Sequence, residues 1–105
     1  MMTKRLNGST TRAPTHPGAL LREVVLPAMG VSISQAAREM GISRQQLHKI
    51  LAEGRAVTAE MASRLGKYCR NGPELWLNMQ STYDLWYAQC ELRDELEHIP
   101  SRAAG

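Results

Sequence analysis

"GISRQQLHKILAEGR", Gly41 to Arg55, decides how the rest of the chain is read. Wound at about 100° per residue, it gathers Leu47, Ile50 and Leu51 on one side as an apolar stripe. Arg44, Gln45, His48, Lys49 and Ala52 then share a wedge of roughly 140° on the other side. A solvated helix ordinarily mixes both signs of charge, yet from Arg44 to Lys49 there is no acid. Such a face, ending in the small Ala52, suits close approach to a polyanion. Gln46 falls between the faces and has a separate task. "SRQQ" sets Ser43 at an N-cap with Gln46 three residues on, the capping-box spacing in which two side chains satisfy orphan backbone donors reciprocally.

Upstream, "SISQ" repeats that signal with Ser32 and Gln35. Between the two lies "EMGIS", where Gly41 can take the left-handed conformation that closes one helix and Ile42 points back to the core. Two short helices joined by a glycine-bearing turn make a helix-turn-helix over about residues 32–53. Before it, "HPGALLREVV" starts a helix with Pro17 near N1, Leu20, Leu21, Val24 and Val25 forming its apolar side. Pro27 is expected to end that helix, and "AMG" to make the turn.

Downstream, Gly54 closes the second helix of the pair, and Thr58 caps a fourth with Met61, Ala62, Leu65 and Cys69 inward. Pro73 opens the longest segment, "ELWLNMQSTYDLWYAQCELRDELEHI". Trp76, Met79, Tyr83, Trp86 and Cys90 recur along it at spacings of three and four, and Leu77, Leu85, Leu92 and Leu96 widen the face. A small domain cannot cover all of that surface. Trp76, Met79, Tyr83 and Trp86 are therefore expected at a symmetric dimer interface.

The chain has 105 residues, enough for one modest core. That domain is expected over residues 16–99, between a basic arm at 1–15 and a loose tail at 100–105. Hydrophobic residues make up 43%, aromatics 5%, and Phe is absent. Strand-type alternation is lacking, and the abundant Leu, Ala, Met, Glu, Arg and Gln favour helix. The expected class is all-α. No window approaches the ~18–20 apolar residues of a membrane span, and no apolar core follows the basic N-terminus. Cys69 and Cys90 fit neither a disulfide framework nor a zinc signature. They read as buried thiols in a reducing compartment, and the expected location is cytoplasmic. Residues 1–73 hold 11 Lys/Arg against 4 Asp/Glu, residues 74–105 hold 2 against 6. A basic part joined to an acidic one suggests two faces with different partners, one of them polyanionic.

Catalysis finds no support. His16, His48 and His98 each stand alone, and no HExxH, GxSxG, P-loop or paired-carboxylate constellation occurs. No cofactor or metal is implied.

Three motifs then carry a resemblance: "HPG" at the first helix, "EGRAVTAEMASRL" after the second helix of the pair, and "ELWLNMQSTYDL" in the fifth. With them, residues 16–87 resemble the HigA/VapI type of antitoxin, a branch of the Xre/lambda-repressor-like helix-turn-helix family. The third motif is the most diagnostic, since general phage-type repressors lack it. The resemblance implies a five-helix DNA-binding domain, a homodimer, an operator in the module's own promoter and a HigB/RelE-type RNA-cleaving toxin as partner. Carried onto this sequence, Arg44, Gln45, His48 and Lys49 are the base-reading candidates. Ser32, Gln35, Ser43 and Arg55 are the phosphate-contacting ones. A dimer would read an inverted repeat in double-stranded DNA. Two departures stand out: Glu53 where the family usually has Asn, and Gly72 where a Ser or Thr often precedes the proline. A solitary repressor without a toxin would use the same DNA chemistry, and a purely protein-binding helical module is the third reading.

Overall fold

The computed structural model describes residues 12–103, and among them every regular element is a helix. The first, α1, runs over Pro17–Leu20, a wider π-helical turn at Leu21–Val25 and Leu26–Met29 without a break. It is followed by α2 (Ile33–Met40), α3 (Arg44–Leu51), α4 (Ala59–Cys69), α5 (Pro73–Glu91) and a short α6 (Arg93–Glu97). The expected all-α domain with a helix-turn-helix at α2–α3 is present. Residues 1–11 of the expected arm, and the last two of the expected tail, lie outside the described residues.

Pro27 does not end α1. In the wide turn the Leu26 N–H donates to the Leu21 carbonyl, five residues back. Pro27 then falls in the first turn of the next segment, where its missing N–H is tolerated. The helix stops instead at Gly30, which has φ 70° and donates to the Leu26 and Pro27 carbonyls. The wide turn also shifts the inward register, so Leu26 takes the buried place and Val24, expected inside, is 56% exposed.

Both signals in the pair operate, one only in part. At α3, Gln46 N–H donates to Ser43 Oγ at 3.0 Å and Ser43 N–H to Gln46 Oε1 at 3.2 Å, a complete capping box. At α2 the Gln35 N–H donates to Ser32 Oγ at 3.0 Å, but the Gln35 amide turns to Glu39 Oε2 at 3.2 Å and leaves the box half made. Between them the Ile42 N–H reaches the Ala37 carbonyl and the Gly41 N–H the Arg38 carbonyl, with Gly41 at φ 75°. That pair of bonds is a Schellman close.

The core gathers Leu21, Leu47, Ile50, Val57, Leu65 and Trp76, each under 3% exposed. Gly18 permits its tightest approach: a Cβ there would lie 1.9 Å from the Ile50 carbonyl oxygen. The "HPG" motif is thereby explained, because α1 rests its first turn directly on the backbone of α3. His16, itself buried, caps that turn by accepting the Gly18 N–H on Nδ1 at 2.9 Å. The long segment after Pro73 breaks at Leu92 (φ −96°, ψ 10°), which splits α6 from α5. Every described residue from Gln89 onward is exposed, so the end of α5 and all of α6 extend beyond the core.

Candidate nucleic-acid interface

The helix that bears the cationic face is fixed at both ends. The capping box holds its start. At its end, an Arg22 Nη1–H donates to the Leu51 carbonyl, tying α1 across 29 residues of chain. The same nitrogen lies 3.4 Å from a Glu53 carboxylate oxygen, while Nη2 pairs with Glu23 at 2.6 Å. Carboxylates on two sides raise the Arg22 pKa, the Glu23 hydrogen bond being the largest cause. Gly54 was expected to close α3, but Glu53 does so in the left-handed region at φ 65°. Asn tolerates that conformation better than most residues, a backbone reason for the family's usual residue here.

On this clamped helix Arg44, Gln45, His48 and Lys49 are all exposed. Among the described residues none of the four side chains enters an ion pair or a hydrogen bond within the chain. The structure therefore brings these candidates together on one open surface, with Leu47, Ile50 and Leu51 buried behind them. Ser32 and Ser43 are exposed, and with each Oγ accepting a backbone N–H, the hydroxyl hydrogen is left to donate. Arg55 is exposed and unpaired among the described residues. Gln35 stands apart, its amide nitrogen committed to Glu39.

Arg38 forms an ion pair with neither Glu39 nor Glu23. Glu39 accepts the Tyr68 hydroxyl at 2.6 Å and the Gln35 amide. These bonds hold its carboxyl below the usual range, and burial with the Glu39 contact pushes Tyr68 up to about 12.

The expected dimer residues divide. Trp76 is 0% exposed and donates Nε1–H to Asn71 Oδ1 at 2.8 Å. With no surface left for a partner, it is corrected to a core residue. Met79, Tyr83 and Trp86 are half-buried on α5. Tyr83 meets His16 edge-on with ring centroids 4.8 Å apart, and Tyr87 lies 4.7 Å from Tyr83 and 4.9 Å from Trp86. Leu85 and Leu92 remain exposed at 58% and 45%. The cysteines are free but not both interior: Cys69 is half-buried and Cys90 exposed.

Three side chains matter more than sequence reading allowed. Arg22 clamps α3. Arg64 donates to the Met40 carbonyl at 2.7 Å and pairs with Glu60 at 3.1 Å, capping the end of α2. Gln80 is buried and accepts the Val57 N–H at 2.8 Å while donating to Asp84 at 2.9 Å. It anchors the loop after α3 to α5. A polar residue four places after Trp76, at an inward position, was the available signal for it.

No helix among the described residues is long and apolar enough to cross a membrane, and none of them form a cluster of three or more metal-binding side chains.

The family described as helix-turn-helix matches residues 21–77. Virulence-associated protein I of Dichelobacter nodosus is 38% identical over 82 residues, 78% of this chain and 76% of that one. Antitoxin HigA-1 of Vibrio cholerae is 31% identical over 90 residues, 86% and 85% of the two chains. Among solved structures, the Pseudomonas aeruginosa antitoxin HigA with the higBA promoter superposes with a TM-score of 0.79 at 33% identity. That likeness covers 87% of this chain and 99% of the other. Both HigA relatives are named as antitoxins, the second in a structure with promoter DNA.

Proposed function

Since the chain belongs to the HigA/VapI-type branch of the Xre-like helix-turn-helix family, we propose that it is the antitoxin of a type II toxin–antitoxin module. In this reading it binds its own promoter as a dimer and neutralises a small HigB/RelE-type ribonuclease. The observation that carries it is the open face of α3, where Arg44, Gln45, His48 and Lys49 stand unpaired on a helix held at both ends. Unpaired cations and amides on a fixed helix are preorganised for an external acceptor, because docking breaks no internal bond.

In such a protein α3 lies in the major groove with its first residues at base edges. Arg44 donates two hydrogen bonds to guanine O6 and N7, and Gln45 pairs bidentately with adenine. Lys49, one turn on, reaches a base or a phosphate. His48 meets the backbone or a thymine methyl. The Ser32 and Ser43 hydroxyls and Arg55 take phosphates beside the groove. Gln35 joins them by giving up Glu39.

One such domain reads few base pairs, so affinity calls for two copies. Met79, Tyr83 and Trp86 with the exposed leucines of α5 supply the surface between them. Recognition helices about 34 Å apart then read half-sites one turn apart.

The test has two arms. Gel shifts on DNA upstream of the reading frame should weaken steeply with salt, as released counterions require. A flat response would remove the phosphate-neutralising role. Co-expression with a neighbouring small basic frame should give one co-purifying complex. A chain that shifts DNA but elutes only as its own dimer would be a solitary repressor.

A further inference from the structure

An acid next to a DNA-facing surface calls for explanation. Glu53 directly follows Ala52, the end of the outward face of α3, and shares its loop with Arg55. The left-handed backbone at φ 65° sets the direction of its side chain. One carboxylate oxygen lies 3.4 Å from Arg22 Nη1, the nitrogen that also donates to the Leu51 carbonyl. A single guanidinium group thus holds the last turn of α3 and lies between two carboxylates, Glu23 at 2.6 Å and Glu53 at 3.4 Å, the latter being the only acid in residues 42–58. The pair is partly open, with side-chain exposures of 40% and 36%. Its contribution to folding is therefore small, while its charge is still felt by an approaching phosphate within a Debye length.

We propose that Arg22 is a positioning residue for DNA binding which offsets the Glu53 carboxylate at the edge of the reading surface, so that neutral Glu53 variants bind duplex more tightly. The inference rests on the DNA-binding reading above. Without the pair, Glu53 would present an uncompensated anion to the backbone. Without Glu53, Arg22 keeps its pair with Glu23 at 2.6 Å, and the surface facing the backbone loses one negative charge.

The experiment measures affinity for a duplex from the upstream DNA, and for an unrelated duplex of equal length, at several salt concentrations. Thermal melting checks the folding of each variant. Arg22→Gln, which removes the charge, should weaken both duplexes about three- to tenfold at low salt. The double variant Arg22→Gln/Glu53→Gln should return to within about twofold of the parent, a rescue that a merely structural role would not give. Glu53→Gln alone should bind more tightly than the parent, and the differences should shrink with added salt.

A double variant as weak as Arg22→Gln, or an unaffected Arg22→Gln, overturns the inference. Should Arg22→Gln not fold, Glu53→Gln and Arg22→Lys carry the test. Tighter binding by the first with parental binding by the second supports the inference, and weaker binding by the first overturns it. A parent chain that shifts no duplex at low salt overturns the DNA-binding reading itself.

Discussion

Replacing Gly18 by Ala tests the link between α1 and α3. The added Cβ would stand 1.9 Å from the Ile50 carbonyl oxygen and 2.9 Å from its carbon. Ordinary contact begins near 3.4 Å, so α1 and α3 must part by about 1.5 Å or deform. The obstacle is backbone, not the end of a flexible side chain, so relief by a rotamer change is unavailable. Overpacking costs about 1–3 kcal/mol, and the upper end applies here because helix axes must move. For a domain of this size each kcal/mol lowers Tm by about 4–8 °C, which gives a drop of roughly 12–24 °C in a melt followed by circular dichroism. Gly30→Ala is the matched control. Gly30 has φ 70° and nothing within 4 Å of its missing Cβ, so only conformational strain of about 1–2 kcal/mol applies. Asn, which tolerates the left-handed region, should recover much of the loss at position 30 and none at position 18. A Gly18→Ala variant melting within about 2 °C of the parent would refute the claim that α1 seats directly on the backbone of α3.

Arg44→Ala should leave the melting temperature unchanged and cost about 1–3 kcal/mol of specific binding. A panel of single base-pair changes should show discrimination lost at one position, and uniform weakening would make Arg44 a phosphate ligand. Trp76→Ala removes the largest fully buried side chain and should cost about 3–5 kcal/mol in denaturant titration, without requiring any change of oligomeric state in the surviving folded fraction. Burial lowers the His16 pKa below its ordinary 6.5. The unfolded chain thus binds the proton more readily, so His16 contributes fully above about pH 6.5 and stability falls as pH drops through the folded value. His16→Asn keeps an N-cap oxygen and should flatten the stability profile below about pH 6.5. An unchanged slope would assign the acid sensitivity elsewhere.

What the sequence made legible was local. Ser43, Gln46 and Gly41 act on backbone groups within five residues, so their spacing alone foretold the capping box and the close of α2. The reading failed where a distant segment decides. Arg22 meets Leu51 across 29 positions, Arg64 meets Met40 across 24, and Val57 meets Gln80 across 23. None of these contacts has a periodic signature. Trp76 shows the ambiguity of an apolar stripe. Periodicity puts it in line with Met79, Tyr83 and Trp86, but only the packing of α5 against the body determines that the first is enclosed and the others are not. Pro27 marks a different limit, since a single wide turn upstream let the helix pass through a residue that ordinarily stops one. The cationic face of α3 was legible because no acid interrupts it, whereas its lack of an internal partner emerged only from the packing.

The claim on which the account turns is that this face enters the major groove. Hydroxyl-radical footprinting of the chain on its upstream DNA measures it most directly. Two protected patches one helical turn apart on one side of the duplex are expected, both lost in Arg44→Ala/Lys49→Ala while the melting temperature holds. Protection that survives that double change, or none at low salt, would contradict it.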